Sequence, residues 1–135
     1  VFFSPVYKVL ARSNPMGYHH SMKERYFTVV ETEYYLGKAR KILSEKQRDE
    51  VVTIVAQKPE SGEMMQGTGG VYKFRYASQE GKGKRGGARI IHLPLVSSGK
   101  VYLLDIFEKN DKVNLTKAER NEMAQIVRVM KGRGT

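Results

Sequence analysis

Between Val71 and Ala77 aromatic and basic side chains alternate one for one: Tyr72, Phe74 and Tyr76 fall on one parity, Lys73 and Arg75 on the other. A period of two marks a strand with unlike faces. One face is apolar enough to be buried, while the other sets two cations side by side. The rest of the chain must supply strands to pair with this one and a layer to cover its aromatic side.

Both are legible. Arg89 to Val96 and Lys100 to Phe107 read as further strands, joined by a Ser97-Ser98-Gly99 turn, so that an antiparallel three-strand meander is expected. The second of these is apolar almost throughout (Val101, Tyr102, Leu103, Leu104, Ile106, Phe107), which predicts a central position covered on both faces. Pro94 has no N–H to give to a ladder and marks an edge or a bulge. Upstream, Arg25 to Glu31 is rich in aromatic and β-branched residues and predicts a first strand.

Helices fill the remaining patterned segments. Thr32 can cap a helix whose apolar positions are Tyr35, Leu36, Ala39, Ile42 and Leu43. Ser44 with Gln47 is a capping-box pair. It starts a second helix through Val51, Val52, Ile54 and Val55 that Pro59 stops. Thr116 with Glu119 is another such pair, followed by the stripe Met123, Ile126, Val127 and Met130, with Gly132 and Gly134 at its end. The glycine-rich run from Pro59 to Gly70 reads as a loop, and Ser78 to Gly87 as a basic connection. The order strand, helix pair, meander, helix implies an α+β fold. A small antiparallel twisted sheet is packed by two N-terminal helices and a C-terminal helix, with the helices on one side and the other face open for a ligand.

A chain of 135 residues suits one domain. Residues 1–21 show no steady period, and Met22 is a plausible initiator, so 1–21 is expected to be an N-terminal extension outside the fold and 22–135 the domain. The absence of cysteine excludes disulfides and thiolate metal sites. No run approaches the roughly 20 apolar residues of a membrane helix, and no signal peptide is expected; a cytoplasmic location and no membrane partner are the expectation. The formal net charge of +10 points to a polyanion partner, nucleic acid first.

That charge is concentrated. Lys73 and Arg75 emerge together; Lys82, Lys84 and Arg85 follow in the connection; Arg89 opens the next strand; Lys109 closes the last. A meander brings these toward one face and its rim. Such a cluster lowers the cost of approaching a polyanion, and it can also steady charge that develops on phosphorus. A face that only binds fits the same pattern. GKGKRGGAR (Gly81 to Arg89) lacks the spacing of a nucleotide-binding phosphate loop and leads into a strand. His92 is a lone imidazole, packed or at the rim; Asp105, Glu108 and Asp111 lack the grouping of a two-metal nuclease. No metal or other cofactor is expected.

The residues QGTGGVYKFRYASQEGKGKRGGAR (Gln66 to Arg89), with YLLDIFEKN (Tyr102 to Asn110) and Asn114-Leu115-Thr116, resemble the RelE/ParE toxin superfamily, most closely its HigB-like branch. The likeness spans roughly residues 23–131. It implies a microbial-ribonuclease-like fold and an endoribonuclease toxin that enters the A site of the 30S ribosome and cleaves mRNA. It also implies a cognate antitoxin with a helix-turn-helix domain, through which operator DNA is bound. Carried over by position, Lys73 helps deprotonate the ribose 2′-OH, Arg75 and Arg89 stabilise the pentavalent phosphate, and Lys109 protonates or neutralises the leaving oxygen. Lys82, Lys84, Arg85 and Asn110 become RNA contacts. Arg75 stands where the type member has lysine, and arginine is a poor base. No tyrosine follows the last strand to stack a base; Tyr72, Tyr76 and His92 are the possible stand-ins. Two other readings stay open: a ParE-like gyrase inhibitor that cuts no RNA, and an RNA- or ribosome-binding protein without catalysis.

Overall fold

The computed structural model describes residues 7–11, 26–77, 87–108 and 115–134. Its elements are β1 (Tyr7–Ala11), β2 (Thr28–Thr32), α1 (Glu33–Ile42), α2 (Glu45–Gln57), β3 (Glu63–Met64), β4 (Tyr72–Ala77), β5 (Gly87–Leu95), β6 (Lys100–Glu108) and α3 (Lys117–Gly134). The strands form one sheet in the order β1-β2-β6-β5-β4-β3.

The helix starts follow the expected capping chemistry. Thr32 Oγ1 accepts the Tyr35 N–H at 3.2 Å. Ser44 and Gln47 exchange backbone and side-chain bonds at 2.8 and 3.1 Å, and Thr116 and Glu119 do the same. Each reciprocal pair satisfies N–H groups that a helix start leaves without intrahelical partners.

β4, β5 and β6 form the predicted antiparallel meander. β6 is central because β2 runs parallel along its other side, pairing with Lys100 to Leu103. In the β5–β6 ladder Ile91 faces Asp105 while His92 faces Leu103, so a bulge leaves Leu104 unmatched. Pro94 lies past Tyr72–His92, the last β4–β5 pair, where β5 has a neighbour on β6 alone.

Both faces of the sheet are covered, which corrects the expectation of one open face. Tyr35, Leu36 and Ala39 of α1 and Val51, Val52 and Val55 of α2 pack on Val29, Phe74, Ile90, Leu103 and Ile106. On the opposite face Met123 and Val127 of α3 pack on Val30, Ile91, Leu93, Tyr102 and Leu104. The reason lies in β6, whose apolar residues alternate between the two clusters and need a cover on each side.

Two segments differ from their expected state. Glu63 and Met64, inside the expected loop, pair with Lys73 and Tyr72 as the short edge strand β3. Residues 7–11, inside the segment expected to lie outside the fold, pair antiparallel with β2; β2 has a free edge there, and an unpaired strand edge is a template for another strand. Among the described residues no helix is long and apolar enough to cross a membrane.

Candidate functional site

The period of two in β4 turns Phe74 and Tyr76 into the α1–α2 core and leaves Arg75 exposed and Lys73 half-buried on the opposite face. Register then adds the third cation. Arg75 lies directly across from Arg89, and Lys73 across from Ile91. Cross-strand partners point to the same face, so Lys73, Arg75 and Arg89 share the face on which α3 also packs. Together with Gly62, Glu63 and Phe74 they line a cleft of about 340 Å³.

The three cations are held differently. Lys73 keeps 22% of its side chain exposed. Arg89 is half-buried, and its Nε is buried with no hydrogen-bond partner among the described residues. A buried donor without an acceptor is costly. Among the described residues, Glu63 is the one acidic residue in the cleft lining. Its carboxylate stands 3.9 Å from Lys73 Nζ and is largely exposed. Sequence reading missed it because β3 looked like loop; the only available signal was a carboxylate one residue after Gly62 in a glycine-rich run.

The aromatic stand-ins do not reach this cleft. Tyr72 and His92 are register partners on the opposite face, with ring centroids 5.9 Å apart. Tyr76 is buried there and donates its hydroxyl proton to the Glu50 carboxylate. His92 is fully buried, edge-on to Phe74 at 5.3 Å. Its Nε2 lies 3.0 Å from the Ser61 carbonyl, leaving Nδ1 buried without a partner among the described residues. Burial drives its pKa from 6.5 down to about 4. The expectation that Tyr72 and His92 contact RNA on the cationic face is therefore corrected: parity turns both rings away, and the apolar layer over His92 shields it. Of the other expected site residues, Lys82, Lys84, Arg85, Lys109 and Asn110 lie outside the described residues.

The arrangement can hold an anion against three cations, with a carboxylate at one side. Among solved structures, a double arginine-to-alanine mutant of the E. coli toxin RelE in its free state is similar to this chain at 17% identity. The match covers 78% of this chain and 98% of that one, with a TM-score of 0.48. The family model described as the RelE toxin of the RelE/RelB toxin–antitoxin system matches residues 35–133. That span takes in most of α1, all of α2, the cationic strands and nearly all of α3, and the chain belongs to the RelE toxin family.

Proposed function

We propose that this chain is the toxin of a toxin–antitoxin pair, an endoribonuclease that cleaves mRNA in the ribosomal A site and so stops translation. The observation that carries this reading is the convergence of Lys73, Arg75 and Arg89 on one cleft, with a buried Arg89 N–H unspent among the described residues. A phosphodiester placed there meets donors from two strands at once. Charge-assisted bonds of this kind are the stronger class of hydrogen bond.

In the proposed reaction the ribose 2′-oxygen attacks the adjacent phosphorus while Lys73 helps to remove its proton. The 2′-O–P bond forms as the P–O5′ bond breaks, leaving a 2′,3′-cyclic phosphate and a 5′-hydroxyl. Arg75 and Arg89 neutralise the charge that grows on the equatorial oxygens, where preorganised donors act most strongly. Lys109, by its place after β6 in the family pattern, protonates the departing O5′ or neutralises it. Lys82, Lys84, Arg85 and Asn110 extend the electrostatic contact along the strand. The cognate antitoxin, with a helix-turn-helix domain as in the HigB-like branch, silences the toxin and carries it to operator DNA.

Pulse-labelling after induction tests the reading. Methionine incorporation is expected to stop while mRNA acquires new 5′ ends and DNA synthesis continues. Arrested replication with intact mRNA would instead favour gyrase inhibition, and no growth effect would favour a binding protein without catalysis.

A further inference from the structure

α1 packs on the sheet face away from the cleft, yet one of its side chains crosses to the cleft side. β2 accompanies β6 only as far as Leu103, so no β2 residue lies beside Asp105 or Phe107. Lys38 passes through this gap. Its Nζ lies 2.7 Å from Asp105 Oδ1 and 4.2 Å from the centre of the Phe107 ring. Asp105 and Phe107 are the register partners of Ile91 and Arg89, so they share the face of the cationic cleft. Phe107 stands directly opposite Arg89, and Lys38 sits over its ring.

We propose that Lys38, delivered by α1 and held by Asp105, is a further RNA-phosphate contact on the β6 side of Arg89. The proposal rests on the RNA-cleaving reading above. Three features of the pair support it. The carboxylate side chain is 7% exposed and the lysine side chain 35%, so the negative end points inward and the positive end outward. Asp105 Oδ1 also accepts the Ile106 N–H at 2.8 Å, which ties the carboxylate to the backbone and removes much of the freedom of the lysine that it holds. The ammonium has three donors; Asp105 takes one, and a phosphate oxygen can take another.

Stability alone does not account for this pair. A buried ion pair recovers little or nothing over apolar residues of the same size, because both charges must be desolvated. Burial pushes the Asp105 pKa up while Lys38 pulls it back, which is the signature of that cost. What the pair provides is a cation fixed at one point, one aromatic ring away from Arg89. Two fixed cations flanking a ring suit a strand whose successive phosphates need separate partners.

Binding of a 2′-O-methyl oligoribonucleotide, which 2′-OH attack cannot cleave, tests the proposal by fluorescence anisotropy across a salt series. Lys38→Met is expected to weaken binding about tenfold at low salt and to reduce the logarithmic salt slope by about 0.7, the contribution of one phosphate contact on a single strand. Lys38→Arg retains most of the affinity. Since Lys38→Met strands a buried carboxylate, the double variant Lys38→Met with Asp105→Asn keeps the pocket neutral, and its slope falls equally. An unchanged slope in that folded double variant, beside a wild type that binds, overturns the role of Lys38 alone. A wild type without salt-dependent binding overturns the RNA reading together with it.

Discussion

His92 carries an imidazole into the core beneath β3, and its protonation is coupled to folding. The ring donates from Nε2 to the Ser61 carbonyl, and a second proton would sit on Nδ1, which is buried and makes no hydrogen bond among the described residues; burial opposes the charged ring more than the Ser61 and Pro59 carbonyls favour it. Its pKa accordingly falls from 6.5 to about 4. Above pH 6.5 the imidazole is neutral folded or unfolded, and its contribution to stability is complete. As the pH drops from 6.5 towards 4 the unfolded chain takes up a proton that the folded chain refuses, so stability is lost across that window by up to about 3 kcal/mol. Asp105, whose pKa is raised, works in the opposite direction. Melting temperature against pH for the wild type and His92→Gln separates the two. The wild type is expected to lose several degrees more between pH 7 and 4.5, whereas parallel curves would contradict the assignment. Tyr35 offers a second residue-scale check, since its buried hydroxyl has no partner among the described residues. Replacing it by Phe removes an unsatisfied polar group at nearly constant shape, so Tyr35→Phe is expected to leave the urea midpoint unchanged or raise it, and a clear fall would contradict the placement.

At the scale of elements, the segment between α2 and β4 builds one side of the cleft through backbone geometry. Gly62 has φ +87°, and a Cβ placed there would come within 2.0 Å of the Lys73 carbonyl oxygen. β3 can lie against β4 only if this residue has no side chain. Gly62→Ala is expected to cost about 2 kcal/mol or more from the left-handed backbone alone, read as a lowered urea midpoint; an unchanged midpoint would contradict the close approach. Further along, the Thr68 hydroxyl donates to the Met65 carbonyl and accepts the Val71 N–H. This closes a turn against which Val127 and Lys131 of α3 rest. Such details explain what was legible beforehand. Capping pairs, the alternation in β4 and the apolar run of β6 are local signals, and each survived folding unchanged. The position of α3 on the second face was not legible, because an amphipathic stripe tells that a helix is covered and not by which side of a sheet. Nor were Glu63 and Lys38, which enter the site through a backbone contact and a gap between strands that no local pattern encodes.

At the scale of the whole molecule, both sheet faces are covered by helices, and Lys73, Arg75 and Arg89 line one cleft beside β3. An excess of ten positive charges favours encounter with a polyanion with little regard to sequence, and under the proposed function the cleft then holds one phosphate of the RNA. Lys73, Arg75 and Arg89 were gathered correctly by periodicity and the meander, since both are properties of adjacent strands; the cations of residues 82–85 and 109 lie outside the described residues, and their roles stay as proposed. The most direct test of the account is the cleavage rate of ribosome-bound mRNA by Arg89→Ala, measured beside a melting curve that verifies its fold. The account predicts a native-like melt with a rate reduced about 100-fold or more, and a folded Arg89→Ala that cuts at the wild-type rate would contradict it.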